Sequence, residues 1–522
     1  MLKKISSLGS VLLLIGILFS GCTILKQTEV KIYNSTIIDD EGFPSLTLSI
    51  RTTGTITLKL IAPSKAILFE EEYYEGIHDI IVPLDDYRRA PTPGTYTLKA
   101  YDKGNTNVFE EDFIFEGARV SIEEVEEVWW QDEGMYNLVG LHLTLSNSGD
   151  LPAYPFRAAI IFENTDYSSL VLPQSVLPNN QEEVSTCLLI KDISAGYKSM
   201  DITLDNVEEE ILATISYDAL PTGTINDLTF SWNYEEKKNL VLPDISFLYS
   251  YYKGLDRLLL EDYALYIFDA YDDLFVNFMV DRLSSLTTET GDVALINFIV
   301  SFVQNIRYEE DSQGSAGCEE YPRYPLELLK DAEGDCEDKA ILTAAILDTL
   351  GYNVTLLRLP SHMAVGVHLS EDATSYAYFI EEYYYLETTR SPWVVGRVPD
   401  EYIGLDNITL HTIADRPLLF HSWKNATRLN STDGTDYVKM QLLIENYGRV
   451  PASSFEMRMA FYSENNIRFN QVTTTIPTLA SGSKKVVELT ADVPKNVDTT
   501  LKTQIFLDGE LVHEKVSTDT FP

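Results

Sequence analysis

The sequence predicts a multidomain, β-rich chain in which one α+β domain is set among β-sandwich modules. Three observations carry this expectation. The chain has 522 residues, and at roughly 100–200 residues per domain that is room for three or four. Apolar residues alternate with period two over much of residues 30–116, 118–217 and 406–522, as half-buried strands do. Between the last two stretches, helical spacing comes first and short strand-like runs follow, the order of an α+β domain.

At 45% hydrophobic and 23% charged residues the composition is that of a globular protein, neither a disordered polymer nor a multi-span membrane protein. The 39 Lys and Arg face 80 Asp and Glu, a net charge of -41. So acidic a surface repels phosphate backbones and excludes nucleic acid as a partner. The 31 tyrosines lean towards β-rich, extracytoplasmic architecture.

The N-terminus, MLKKISSLGSVLLLIGILFSGC, has a basic start at Lys3 and Lys4, an apolar run from Val11 to Phe19, and Ser20-Gly21 ahead of Cys22. Small residues before a cysteine after such a run form a lipoprotein signal, cleaved before Cys22 and lipidated on its thiol. An uncleaved anchor is the alternative, because the apolar character continues towards Leu25 and is about long enough to span a bilayer. Either way the remainder is expected at the extracytoplasmic face of the cell membrane, anchored by lipid or by its N-terminus. Sequons at Asn34, Asn353, Asn407, Asn425 and Asn430 agree with export. Beyond Cys22 three cysteines remain, Cys187, Cys318 and Cys336, an odd set that leaves at least one thiol free; whether Cys187 and Cys318 pair stays open.

The expected domains are a signal peptide over 1–22, a β-sandwich over 23–117, a second sandwich over 118–225, the α+β domain over 226–405, and a third sandwich over 406–522. In the first, Leu46, Leu48 and Ile50, then Ile56, Leu58 and Leu60, then Tyr96, Leu98 and Ala100 alternate between turn signals. The second and third are copies: LTLSNSGDLPAYPF (143–156) matches LLIENYGRVPASSF (442–455). Asn147/Asn446, Gly149/Gly448, Pro152/Pro451, Ala153/Ala452 and Phe156/Phe455 keep one constant offset, as do Pro178 and Pro477. Both resemble the immunoglobulin-like, adhesion-type modules of prokaryotic surface proteins, which implies spacer or ligand-binding roles.

The chemistry sits in GDCEDKAILTAAILDTLGY (334–352). Glu337 and Asp338 suit the first turn of a helix and Gly351 its stop. Ala340, Ile341, Ala344, Ala345 and Leu347 make that helix apolar over much of its circumference, so it should be buried. Cys336 then stands at a helix N-terminus, where the dipole and unpaired N–H groups favour a thiolate. Glu337 and Asp338 oppose that effect, so a histidine partner is needed. His362 and His368 lie on one strand, six residues apart and on the same face, and alternation does not choose between them. Downstream, Glu387 falls on a later strand, with Glu381 and Glu382 in or near the preceding turn. Cysteine on a helix, histidine on a strand and an acid on a later strand is the order of a thiol triad.

These residues resemble the transglutaminase-like superfamily, whose core is papain-like. Gly334, Cys336, Asp338 and Ala340 fit its Gly-x-Cys-x-Asp-x-Ala segment, His362-Met363-Ala364-Val365 its histidine strand, and Tyr385-Leu386-Glu387-Thr388-Thr389 its acid strand. FVQNIRYEED (302–311) and YPRYPLELLKDAEGDCED (321–338) look like the branch found in archaeal and some bacterial surface proteins. Most of the superfamily has Asp where this chain has Glu387. The resemblance implies Cys336 as nucleophile, His362 as base and Glu387 as orienting acid, acting on amide bonds of envelope or extracellular proteins and peptides. The acyl group would pass to water or to an amine. The Cys336 N–H would be one oxyanion donor, and Tyr308 is a candidate for a second.

No cofactor or metal is expected. The chain has no His-Glu-x-x-His, no Cys-x-x-Cys, no helix-loop-helix calcium loop and no Gly-rich phosphate loop. Runs such as Glu70-Glu71-Glu72 and Glu208-Glu209-Glu210 read as solvated faces. The competing expectation is a surface scaffold whose papain-like domain binds polypeptide without turning it over. Sequence does not settle substrate, acceptor or oligomeric state.

Overall fold

The computed structural model describes residues 28–521, apart from 170–171, 258–261, 313–319, 371–373, 377, 406 and 431–435. The export signal with Cys22, and Cys318, lie outside the described residues. The fold is multidomain and mostly β, 52% strand and 14% helix. It divides into two compact units: the chain up to Thr36 with Leu46–Leu84 and Pro93–Phe115, and Ile37–Ser45 with Asp85–Thr92 and everything from Glu116 onwards. No helix among the described residues is long and apolar enough to cross a membrane.

Three β-modules share one topology. Among the described residues each has seven strands in chain order, from Val30–Asp40 to Asn107–Phe115, from Val120–Asp132 to Ile211–Ala219, and from Leu419–Asn430 to Glu510–Phe521. In each, the first, second and fifth strands make one sheet, and the order fourth-third-sixth-seventh makes the other. In the second module Leu141, Leu143 and Leu145 of one sheet and Ile160, Ile202 and Leu204 of the other enter one apolar core. In the third, Met440, Leu442 and Ile444 meet Met457, Met459 and Ile505 in the same way. Period-two patterning forces this, since every second side chain faces the opposing sheet.

The repeated Asn-x-Gly has a physical reason. Asn147 closes the second strand of its module, accepting from the N–H groups of Arg119 and Gly149 and donating to the carbonyls of Leu151 and Val176. Asn446 accepts from Leu418 and Gly448 and donates to Val450 and Leu479. One buried amide thus bonds to at least four backbone groups at each strand end. A Cβ on Gly149 would stand 2.1 Å from the Gly117 carbonyl oxygen, and one on Gly448 2.2 Å from that of Arg416.

The α+β domain begins with a hairpin, Asp227–Tyr234 with Glu236–Pro243, that was not foreseen from the sequence. Trp232 of the hairpin lies against Phe298 and Phe302. Six α-helices follow among the described residues: α1 (Ser246–Gly254), α2 (Leu265–Phe268), α3 (Asp273–Ser285), α4 (Asp292–Asn305), α5 (Pro325–Asp331) and α6 (Cys336–Thr349). An antiparallel sheet has the order Phe379–Ile380, Tyr383–Leu386, His362–Val367, Val354–Leu359, Thr409–Ile413. Its last strand lies beyond residue 405, so the α+β fold runs further along the chain than the expected boundary. Helix α6 packs on the two central strands and touches α2 to α5. Glu337 to Leu347 are all buried, as an apolar circumference requires.

Candidate active site

The start of α6 is fixed by close packing around Gly334 and Asp338. Gly334 has no room for a side chain, because a Cβ would lie 2.5 Å from Asp338 Oδ2 and 2.6 Å from Leu328 Cδ1. Asp338 fills that space and accepts from the Asp335 N–H at 3.2 Å, tying down the first turn of α6. It also accepts from the Arg323 backbone N–H at 2.7 Å. The Arg323 guanidinium, 1% exposed, reaches Asp338, Asp311 and Asp331. A buried cation held by three acids is paired rather than free, and it locks the loop ahead of α5 onto α6. The Gly-x-Cys-x-Asp spacing therefore builds the platform on which Cys336 is the first helical residue.

His362 opens its strand directly after a two-residue turn, with Leu359 paired to His362. Pro360 takes the second position of that turn and Ser361, at φ 57°, the third, the positive φ of a type II turn. The ring reaches Glu387 Oε2 through Nε2 at 3.0 Å. Tyr402 stacks on its face, with centroids 4.9 Å apart and planes at 3°.

Glu387 lies just past the Tyr383–Leu386 strand, which pairs with that of His362. Both carboxylate oxygens are engaged. Oε2 accepts from His362 and from the Tyr385 hydroxyl at 2.7 Å. Oε1 accepts from the Thr389 N–H at 2.9 Å and its hydroxyl at 2.6 Å. Burial by itself would raise this carboxyl, but the bonds from His362 and Thr389 outweigh it and hold it at about 2. The backbone around Glu387 is anchored from both sides. Gln304 of α4 donates to the Glu387 and Trp393 carbonyls at 2.8 and 3.0 Å, and Lys339 of α6 donates to the Thr389 and Ile306 carbonyls. Burial lowers the Lys339 ammonium to about 8, against the pull of Glu387.

Cys336 lies beside the start of the His362 strand, close enough for the Met363 backbone N–H to favour its thiolate. Its thiol hydrogen bond goes to Glu337 Oε2 at 3.2 Å, and none joins it to the His362 ring. Burial first, then the charges of Glu337 and Asp335 and that bond, push the thiol well up from its ordinary value. Burial also raises both carboxyls.

The structure thus joins His362 to Glu387 and sets Cys336 next to that pair. His368 is elsewhere, half-exposed and 3.9 Å from Glu382. Cys187 is a buried free thiol, pushed up to about 12 by burial. Sequence reasoning missed the support of Glu387 by Tyr385, Thr389, Gln304 and Lys339; a Thr two residues past an acid is a local turn signal that points to one of them. It also missed Tyr402.

No family model matches the chain, and neither does any curated protein. Among solved structures, the chain is similar to a segment of two fibronectin type III domains from chicken tenascin, at 13% identity over 37% of this chain and 97% of that one, with a TM-score of 0.18. It is similar to the YadV chaperone at 8% identity over 37% and 99%, TM-score 0.14. An exo-chitosanase of Amycolatopsis orientalis aligns at 8% identity over 91% and 76%, TM-score 0.16. With TM-scores this low, none of them bears on the chemistry of this chain.

Proposed function

We propose that this protein is a membrane-anchored, extracytoplasmic thiol hydrolase or acyltransferase of the transglutaminase-like type, acting on amide bonds of proteins or peptides. The observation that carries the reading is the His362–Glu387 contact beside a cysteine at the start of a buried helix. A cysteine helix packed on an antiparallel sheet, with histidine and acid on neighbouring strands, also supports a papain-like core. For attack, the Cys336 side chain turns from Glu337 to the free nitrogen of His362. The sulfur adds to the carbonyl carbon while its proton passes to the imidazole. The tetrahedral oxyanion collapses, the imidazolium protonates the leaving amine, and a thioester remains. Water or a second amine, deprotonated by His362, then takes the acyl group. Glu387 keeps the ring in the tautomer this requires.

The test is trapping with a peptide-based thiol-reactive probe and identification of the labelled residue. Label on Cys336 that is lost in His362→Ala supports the enzyme. A second reading, a polypeptide-binding scaffold, is favoured by the raised thiol and its bond to Glu337, and absence of label at Cys336 would select it. The anchor is tested separately: Cys22→Ser should accumulate as uncleaved precursor, and mature-length Cys22→Ser in the aqueous phase would overturn lipidation.

A further inference from the structure

A thiol that attacks a carbonyl must place negative charge on oxygen, and one backbone donor is rarely the whole of an oxyanion hole. The Cys336 N–H, at the first position of α6, has no acceptor within its own helix. The second donor has to lie beside that helix start. The two-residue strand Arg307–Tyr308 runs parallel to Glu333–Gly334, with Tyr308 in register with Gly334 and the Glu309 N–H bonded to the Gly334 carbonyl at 3.1 Å. This fixes Tyr308 alongside the residues that lead into Cys336. Its side chain is 46% exposed, so it borders solvent, from which a substrate arrives.

The Tyr308 hydroxyl engages no described residue. Three other tyrosines of this region are committed: Tyr249 donates to Asp331, Tyr252 to Asp269 and Tyr385 to Glu387. Tyr402, the other phenol near the thiol, has its ring laid on the imidazole. Burial and the nearby charges of Cys336, Asp335 and Glu337 raise the Tyr308 phenol, so at neutral pH it keeps the proton that a donor needs.

We propose that the Tyr308 hydroxyl is the second oxyanion donor, acting with the Cys336 N–H on the carbonyl oxygen of the acyl substrate. The proposal rests on Cys336 being the nucleophile. When the Cys336 sulfur bonds to the carbonyl carbon, the π pair moves onto oxygen and the thiol proton goes to His362. The phenol donates a hydrogen bond to that oxygen and keeps its proton throughout. When the leaving group departs, the oxygen pair re-forms the double bond.

Two reagents separate this role from any other. 4-Nitrophenyl acetate acylates a thiol through a tetrahedral oxyanion and releases nitrophenolate; iodoacetamide alkylates it by displacement of iodide, with no oxyanion. Both are measured on the full chain, with the rate of Cys336→Ser subtracted. In Tyr308→Phe, acylation should fall about 10²-fold while alkylation changes by less than about twofold. A parallel fall in both reactions would make Tyr308 a support for the thiol and overturn the donor role, and so would acylation at the wild-type rate. Unchanged alkylation also shows that the variant's site is folded. A wild-type thiol inert to both reagents would instead overturn the nucleophile reading, and the donor with it.

Discussion

His362 Nε2 and Glu387 Oε2 stand 3.0 Å apart across two adjacent antiparallel strands. With Nε2 committed to a carboxylate, the ring has one nitrogen left for a second partner, and the strand start where it sits borders Cys336. His368 has no such setting. Alkylation of Cys336 should therefore slow by about tenfold or more in His362→Ala, because the thiol loses the base that takes its proton. In His368→Ala the rate should stay within about twofold of wild type, a surface change that leaves the thiol's proton acceptor in place. Rates from mass-spectrometric labelling decide it, and equal losses in both variants would mean that the strand, not the base, had been damaged.

The Glu387 carboxyl supplies a pH prediction. Its folded value, about 2, lies below its ordinary 4.5. A depressed carboxyl stabilises the fold above its unfolded range and ceases to do so as pH falls through the folded value. The contribution is of order 3 kcal/mol at neutral pH. It should disappear between about pH 4.5 and 2 in the wild type. Glu387→Gln should be less stable at neutral pH and should lack that part of the acid decline. Urea midpoints at several pH values measure both; identical pH dependence in the two proteins would refute the assignment.

How far the site could be read from sequence follows from how local each constraint is. Gly334, Cys336 and Asp338 lie close together in the chain around the start of α6, and their roles as gap, nucleophile candidate and first-turn anchor are legible from spacing. The support of Glu387 by Gln304 and Lys339 crosses 83 and 50 residues to backbone carbonyls, and no pattern in the chain announces it. The choice between His362 and His368 could not come from alternation, since an even spacing puts both on one face of a strand. The fold separates them: His362 meets Glu387, whereas the strand ends at Val367 and His368 lies near Glu382.

The modules teach the same lesson. Asn147 and Asn446 betray two copies because the same amide makes the same bonds. The first module has Thr52-Thr53-Gly54 at the equivalent strand end, where Thr52 Oγ1 bonds to Gly54 and the Thr53 N–H reaches the Glu29 carbonyl at 3.1 Å. The Ser148 N–H reaches the Arg119 carbonyl likewise, at 2.9 Å. A hydroxyl has replaced the amide, so the shared topology left no shared word in the sequence.

Those strand ends can be tested by adding one methyl group. Gly448→Ala puts a Cβ 2.2 Å from the Arg416 oxygen and 2.4 Å from the Leu418 nitrogen, both backbone atoms that cannot swing away. The third module should lose about 3 kcal/mol, and the clash must be relieved by moving strands. Gly149→Ala should do the same to the second module. Gly254→Ala, where a Cβ meets nothing within 4 Å, is the control, expected to be neutral or slightly stabilising. Proteolysis rates of the folded variants report the outcome, and a silent Gly448→Ala would show that the loop yields easily.

Glu337 decides how reactive Cys336 is at rest. The thiol donates to it at 3.2 Å, and after burial its charge is the strongest influence raising the thiol, ahead of Asp335. Replacing it by Gln removes one negative charge beside the sulfur while keeping the side chain's shape. Less negative surroundings favour the thiolate, so the pH–rate curve for alkylation should move to lower pH. Below the thiol's own value, a lowered thiol carries a larger thiolate fraction, about tenfold for each unit, so Glu337→Gln should react faster than wild type at pH 7. The opposite result has equally definite content. If Glu337, not His362, takes the thiol proton, then Glu337→Gln slows alkylation and His362→Ala leaves it alone. Measuring both variants across pH 5 to 10 therefore assigns the proton acceptor, and a faster Glu337→Gln with a slower His362→Ala is the outcome expected of a cysteine restrained by its neighbour and released to its histidine.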